Sequence, residues 1–266
     1  MTINQVERAY KAWPILAQRA KSRKTITYKE LGDAIGVHHR VIRFVLGVIQ
    51  DYCMAEKIPP LTILIINSTG KPGVGFIAYD LRNFEYGLQE VFDYDWENHG
   101  NPFVFSLEGL SYKNIINSLV DEPDSSGEIY SKVKSRGIKQ MLFRQALLKA
   151  YSHRCAFTGL SFVHGLEAAH IVPWKHATDS QRMDVRNGIL LNSFHHRLFD
   201  AGLITLSSEY KILYYDQNGR DGSYSKLDRL MSTDLHGKTI YLPHKVKNRP
   251  SRVLISDHNR LLEWEE

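Results

Sequence analysis

The segment from Leu166 to Gly202 contains histidine, asparagine and aspartate side chains that could carry out metal-assisted hydrolysis. His170 lies in the middle of the largely apolar run LEAAHIVPW, and Asn187 follows seventeen residues later in RNGILL. His196 lies nine residues after Asn187, in FHHRLFDAG. A phosphodiester is hydrolysed when a base takes a proton from water and a metal ion meets the charge that develops. The segment offers a candidate for each role.

His170 is the candidate base. The pKa of an unperturbed imidazole is about 6.5, so a neutral ring can accept a proton from water at working pH. A histidine beside an apolar strand can also be a packed side chain with no chemical role.

His196 and Asp200 are the candidate metal ligands. They are four residues apart, so a helix would project both from one face. An imidazole and a carboxylate together suit Mg, Mn, Ni or Zn. Asp200 could instead cap the helix end or pair with Arg197. His195 points about 100° away around the helix and is the weaker candidate.

Strands and a helix must position these side chains. We predict one strand that ends near Pro173, and a second, GILLN, that opens at Asn187-Gly188. FHHRLFD then begins a helix that Gly202 closes. The order is strand, loop, strand, helix. The amide of Asn187 can bond backbone groups on both sides of the loop, although Asn-Gly is also a common turn pair.

These motifs resemble those of the HNH (ββα-metal) nucleases. CAFTG, LEAAHIVPW, RNGILL and HRLFDAGL are similar to the pattern of predicted HNH restriction endonucleases, and so is the tail TIYLP…RPSRVLISDHNRLLEW. The resemblance covers roughly residues 136–262. It implies that His170 is the general base, that Asn187 braces the loop and fixes the base, and that His196 binds one divalent metal ion.

The chain departs from this pattern at two positions. In many HNH enzymes the residue before the base is Asp or His and binds the metal, but here it is Ala169. Glu167 lies on the same side of the strand and is the candidate replacement ligand. Many relatives also hold a structural zinc ion with two CxxC pairs. Because Thr158 stands where a partner of Cys155 would be, we expect no structural zinc.

Charge is distributed unevenly along the 266 residues, whose formal net charge is +5. Residues 1–60 carry ten Lys and Arg against five Asp and Glu, residues 80–130 carry two against eleven, and residues 131–266 carry 21 against 13. A basic surface suits a phosphate backbone, although +5 is ordinary for a protein of this size. Lys175 and Arg197, beside the motif, are candidates for phosphate contact, or else part of a solvated basic rim.

Other sequence features indicate where in the cell the protein is expected to be. The chain contains no apolar run of about 18 residues, which a membrane-spanning helix needs. The N-terminus lacks the apolar core of a signal peptide. The two cysteines, Cys53 and Cys155, are too few for a disulfide framework. We therefore expect a cytoplasmic protein with no membrane partner.

The N-terminal part has the element order of a winged helix-turn-helix. Thr27 and Glu30 form a candidate capping box for a second helix. The run HHRVIRFVLGVIQDYCMAEK predicts a third helix, and the runs LTILIIN and VGFIAYD predict a hairpin. This part is loosely similar to the winged-helix DNA-binding domain of alkyltransferase-like proteins, but it lacks their Pro-Cys-His-Arg active site. The resemblance implies DNA contact at the start of the recognition helix and on the wing. The candidate residues, which could also be simply solvated, are His39, Arg40, Arg43 and Lys71.

The sequence thus predicts an α+β protein with an N-terminal winged-helix-like module followed by a C-terminal ββα-metal nuclease domain. The expected parts are a DNA-recognition domain at 1–95, an acidic linker region at 96–132 and the HNH nuclease domain at 133–266. We expect a metal-dependent endonuclease, most simply a sequence- or modification-dependent restriction enzyme, that acts on double-stranded DNA as a homodimer. The alternatives are a DNA-binding protein with a degenerate HNH core and a non-specific nuclease effector.

Overall fold

The computed structural model describes residues 4–264, which divide into two compact units. The first unit comprises the described residues up to Asn114 together with Val133–Ile138. The second comprises Ile115–Lys132 and the described residues from Lys139 onward. The predicted boundaries of independently folding domains, at residues 95 and 132, remain a prediction.

The first unit is mainly helical. Its core includes Trp13 and Leu16 of the first helix and Ile49 of the third, all almost fully buried. Its helices and strands are α1 (Gln5–Lys21), β1 (Ile26–Thr27), α2 (Tyr28–Ile35), α3 (Ile42–Glu56), β2 (Ile65–Ile66), α4 (Phe84–Asp93) and α5 (Trp96–His99).

The predicted capping box at Thr27 is confirmed. The Thr27 hydroxyl accepts the backbone N–H of Glu30, and the Glu30 carboxylate accepts the backbone N–H of Thr27. Both bonds satisfy N–H groups that have no partner inside the helix. The sequence signal was reliable here because the motif is local.

The predicted hairpin of the wing is wrong. Leu61–Leu64 form a 3₁₀ turn, and the short β2 pairs with β1 in parallel. Every residue from Leu61 to Ile65 is buried. A hairpin at the edge of a domain would instead expose alternate side chains to solvent. The second run stays irregular, because the Gln50 amide bonds the Gly75 carbonyl and the Ile77 N–H in place of a neighbouring strand. The structure thus has the predicted helices of this part of the chain but not the predicted hairpin.

The acidic middle of the chain is helical. It contains α6 (Tyr112–Asp121) and α7 (Ser126–Lys132), and α8 (Arg136–Ala150) follows. Ile115 and Leu119, four residues apart, are buried on one face of α6, which explains why the segment folds despite its charge.

The second unit contains the predicted strand-strand-helix arrangement, although its first strand ends at His170 and not near Pro173 as predicted. β3 and β4 pair antiparallel, with Leu166 opposite Asn192 and His170 opposite Gly188. The protein is therefore an α+β protein. The helices and strands of this part are β3 (Leu166–His170), β4 (Gly188–Asn192), α9 (Ser193–Asp200), β5 (Ile204–Leu206), β6 (Ile212–Tyr214), α10 (Lys226–Leu230) and α11 (Arg252–Leu261).

Two local features fix the strands and the helix. Asn192 ends β4 and caps α9, since its side chain accepts the backbone N–H of His195 at 2.9 Å. Gly188 lies so close to α8 that a Cβ would meet Phe143 and Leu147 side-chain atoms at 2.6 Å. The glycine thus allows α8 to pack directly on the sheet. Within residues 4–264, none of the helices has the length and apolarity that crossing a membrane requires.

Candidate active site

His170 is held at the end of β3 in a defined tautomer. Its Nε2 lies 3.1 Å from the carbonyl oxygen of Arg182. A carbonyl can only accept, so Nε2 carries the hydrogen and the lone pair of the neutral ring is on Nδ1. The ring stacks on Phe143, with centroids 4.1 Å apart and planes 11° apart, and lies perpendicular to the ring of Trp174.

The environment of His170 changes its acidity. Burial lowers the pKa to about 4, the hydrogen bond to the Arg182 carbonyl acts in the opposite direction, and His196 lowers it further. An unperturbed pKa near 6.5, as the sequence alone suggests, is therefore not what the structure shows. The imidazole is neutral at physiological pH, with Nδ1 able to accept a proton.

Asn187 ties together the two ends of the loop that follows His170. It is 0% exposed, and its side chain accepts the Val172 N–H at 2.8 Å and donates to the Val172 and Gln181 carbonyls. Its backbone carbonyl accepts the Ile171 N–H. Every one of these bonds restrains backbone within two residues of His170 or in the loop that supplies its carbonyl partner.

His196 lies between two carboxylates. Its Nδ1 is 2.5 Å from Glu167 Oε2, and its Nε2 is 3.4 Å from Asp200 Oδ2. Burial acts to raise the pKa of Glu167, but the hydrogen bonds from His196 and Ser193 outweigh it and the pKa is lowered. Glu167 is thus an ionised acceptor that fixes the Nδ1–H of His196. His196 Nε2 and the Asp200 carboxylate are left as a pair of donors for an ion.

A cavity of about 530 Å³ brings these groups together. Its wall includes His170 from β3, His196 and Asp200 from α9, His258 from α11, and Lys175 from the loop after β3. Glu167 does not line the cavity, which agrees with its contact to the far nitrogen of His196.

The donor set fits a divalent cation in part. Two ligands of one ion, with bonds of about 2.1 Å, lie roughly 3.0–3.4 Å apart, and His196 Nε2 and Asp200 Oδ2 are 3.4 Å apart. A ring nitrogen and a carboxylate are ligands that Mg²⁺, Mn²⁺, Ni²⁺ or Zn²⁺ accepts. Ala169 is fully buried and supplies nothing. Among residues 4–264, no three His, Cys, Asp or Glu side chains are arranged to hold a metal ion.

The basic residues predicted beside the motif are on the surface. Lys175 is exposed at the cavity and Arg197 is exposed on α9. His195, by contrast, is fully buried, and its Nε2 donates to the Met231 carbonyl at 2.9 Å. It therefore faces away from the cavity, as its position on the helix predicts.

The predicted DNA contacts of the first unit surround the start of α3. His39 and Arg40 lie on a 3₁₀ turn (His39–Val41) before the helix, and Arg43 lies on its first turn. All three are exposed. Arg43 covers the ring of the half-exposed Phe44 at 4.7 Å. Lys71 is exposed in a turn, and not on a wing. The backbone carbonyl of Lys71 accepts the Asn67 N–H and closes this turn.

Three contributors to the site were not predicted from the sequence. Phe143 packs on His170 from α8, and Arg182 supplies the carbonyl that fixes its tautomer. His258 lines the cavity from α11, and burial lowers its pKa. None belongs to the local motif. The sequence showed only that α8 has a hydrophobic residue at this position and that the C-terminal helix contains a histidine.

The comparisons with known proteins agree with this geometry. The family model HNH_2, described as HNH endonuclease, matches residues 155–207. These residues include β3, β4 and α9, so the segment that is similar to HNH endonucleases is the one that contains His170, Asn187 and His196. No curated protein was found to match the chain.

Proposed function

We propose that the protein is a DNA endonuclease that hydrolyses phosphodiesters with His170 as the general base and one divalent cation at His196 and Asp200. The observation that carries the proposal is the cavity, which is lined both by a neutral His170 and by the His196–Asp200 donor pair. The HNH endonuclease match of the same segment supports it.

His170 is prepared for proton transfer by its surroundings. The Arg182 carbonyl fixes the hydrogen on Nε2, and Phe143 holds the plane of the ring, so the Nδ1 lone pair has a fixed direction. A pKa of about 4 makes the ring a weak base in the free protein. A bound phosphodiester carries a negative charge, which would raise that pKa toward the range in which a base works best.

The remaining side chains orient the metal site and the loop. Glu167 holds the Nδ1–H of His196, which aims Nε2 at the cavity; such outer contacts set both the tautomer and the basicity of a ligand. Asn187 would keep the loop, and with it the Arg182 carbonyl, in place. A divalent cation held by His196 and Asp200 would supply positive charge to offset the charge on the phosphate and on the leaving oxygen.

We propose that the first unit contributes DNA affinity through the start of α3. The support is the exposed group of His39, Arg40 and Arg43 after the confirmed N-cap of α2, in a segment with a basic excess. Lys71, Lys175 and Arg197 are proposed phosphate contacts. The helix-turn-helix part of the sequence prediction suffices for this proposal, which does not need the wing.

Restriction is the proposed biology, on the basis of the resemblance to predicted HNH restriction endonucleases. Cleavage of both strands needs two active sites, so we propose a homodimer on double-stranded DNA. Both cysteines are free and buried, and we propose a cytoplasmic location, where thiols stay reduced.

A plasmid-nicking assay tests the proposal. Supercoiled plasmid should be converted to open-circle or linear DNA with Mg²⁺ or Mn²⁺, and EDTA should stop the reaction. DNA binding without cleavage under any divalent cation would favour a DNA-binding protein with a degenerate core, which is the alternative that Ala169 supports. Equal cleavage of methylated, unmethylated and unrelated DNA would instead favour a non-specific nuclease.

A further inference from the structure

His258 is a buried histidine on α11, outside the segment that matches the HNH family. It is 3% exposed, and its ring stacks on Phe199, with centroids 4.2 Å apart and planes 4° apart. Its Nδ1 lies 2.7 Å from the carbonyl oxygen of Ile171. Phe199 precedes Asp200 and Ile171 follows His170, so this one ring contacts the neighbours of two site residues.

The second ring nitrogen of His258 is available for binding. Because the Ile171 carbonyl can only accept, Nδ1 carries the hydrogen and the lone pair of the neutral ring is on Nε2. Nε2 is buried and has no hydrogen-bond partner among the described residues. A buried polar atom without a partner is costly, and this one belongs to a residue that lines the cavity with His170, His196 and Asp200.

The chemistry of the site identifies the missing partner. Nε2 and the Asp200 carboxylate are both acceptors, so they cannot bond each other directly. A donor with two hydrogens satisfies both, and water is such a donor. A divalent cation bound by His196 and Asp200 would still carry water molecules in its hydration shell, and these could donate to His258 Nε2.

We propose that His258 is a positioning residue of the active site, whose Nε2 accepts a hydrogen bond from a water of hydration of the cation held by His196 and Asp200. The inference rests on the proposed function. Through it α11 stabilises the cation site, and the functional nuclease unit extends beyond residues 155–207.

Two substitutions separate this role from a purely structural one. In His258→Asn the amide can still donate to the Ile171 carbonyl but does not reach the position of Nε2. In His258→Gln an amide oxygen can reach the position of Nε2, whereas the donor to Ile171 is lost. A structural role predicts a higher melting temperature for the Asn variant than for the Gln variant. The proposed role predicts the opposite order for cation affinity.

The experiment is a calorimetric Mn²⁺ titration of the full chain, with melting temperatures measured on the same samples. We expect His258→Asn to bind Mn²⁺ about 10–100-fold more weakly than the unsubstituted protein, the usual effect of losing an outer-sphere partner, and His258→Gln to recover part of the affinity. His236→Asn is the matched control: Nδ1 of His236 accepts the Tyr214 N–H and the residue does not line the cavity. It should bind Mn²⁺ normally.

His196→Ala makes the possible failures distinguishable. If His196→Ala loses Mn²⁺ binding but both His258 variants bind within threefold of the unsubstituted protein, the inference about His258 is overturned and the proposed metal site stands. If the unsubstituted protein does not bind Mn²⁺, or if His196→Ala binds it equally well, the metal site and the inference are both overturned.

Discussion

Glu167 Oε2 lies 2.5 Å from His196 Nδ1, which joins the first strand of the ββα unit to its helix. The carboxylate can only accept, so this contact assigns the Nδ1 hydrogen and leaves Nε2 to the cavity. Glu167 was predicted as a metal ligand in place of Ala169. Its contact with the far side of the ring favours an orienting role for Glu167, with Asp200 as the carboxylate ligand.

The first prediction separates the two carboxylates. Asp200→Asn should weaken Mn²⁺ binding because a charged ligand is lost. Glu167→Gln should weaken it by about 10–100-fold through the orientation and basicity of His196, and Glu167→Ala by more, because Gln can still accept from Nδ1. Calorimetric titration measures the affinities, with the exposed Glu209→Gln as a control. Unchanged affinity in Asp200→Asn together with abolished binding in Glu167→Gln would reverse the two roles.

The second prediction concerns the base. His170→Ala should reduce cleavage by about 10²–10⁴-fold, the usual contribution of a positioned general base, while DNA binding in EDTA stays the same. Single-turnover nicking rates and a gel-shift titration measure the two effects. Full cleavage by His170→Ala would remove His170 from the mechanism and leave Lys175 and His176, which also line the cavity, as the groups to examine.

The third prediction concerns the loop. Asn187→Ala removes the partners of the Val172 N–H and of two carbonyls in a fully buried place. Leaving such groups unpaired should cost about 1–3 kcal/mol for each one that water cannot reach, measured by urea unfolding. Cleavage should fall as well, because the loop supplies the Arg182 carbonyl. Asn187→Asp is the matched variant, since it keeps the acceptor for Val172 and loses both donors.

The fourth prediction concerns stability and pH. The pKa of His170 is about 4 in the folded protein and about 6.5 in the unfolded chain, so unfolding takes up a proton between these values. Stability is therefore greatest above about pH 6.5 and falls as the pH is lowered toward 4, by roughly 3 kcal/mol from this residue alone. Burial lowers the pKa of His195 and His258 too, with the same sign. Urea midpoints of the protein and of His170→Gln measure the effect, and the variant should show the weaker pH dependence.

The sequence predicted the local part of the site and missed the tertiary part. His170, Asn187 and His196 follow from one motif, because β3, β4 and α9 are consecutive and their spacing limits the geometry. Phe143 and His258 contact the same site from distant helices, and His258 reaches Ile171 across 87 positions. Spacing carries no information about such contacts. The lowered pKa of His170 has the same origin, since burial depends on what packs around the ring.

The failed hairpin has a different physical cause. A short apolar run is compatible with a strand or with any other fully buried segment, and the run from Leu61 to Ile65 is fully buried. Tertiary packing buries this run without pairing it to the second run. The Gln50 amide bonds Gly75 and Ile77, which occupies backbone groups of the second run that a hairpin would pair. The capping box at Thr27 was predictable because its two bonds involve only residues three apart.

The last prediction concerns DNA recognition by the first unit. Arg40 and Arg43 are exposed at the start of α3, and binding of the full chain in EDTA should weaken as salt rises, because bound cations release counterions from the phosphates. If either arginine contacts a base edge, its change to Ala should cost roughly 1–3 kcal/mol on the preferred site and little on other DNA. If it contacts only phosphate, the affinity for all DNAs should fall alike, and the slope of log affinity against log salt concentration should fall by about 1. Arg82→Ala is the control, since Arg82 is exposed but held by Asp80. Gel-shift titrations at several salt concentrations distinguish these outcomes, and unchanged binding in both Arg40→Ala and Arg43→Ala would show that α3 does not contact DNA.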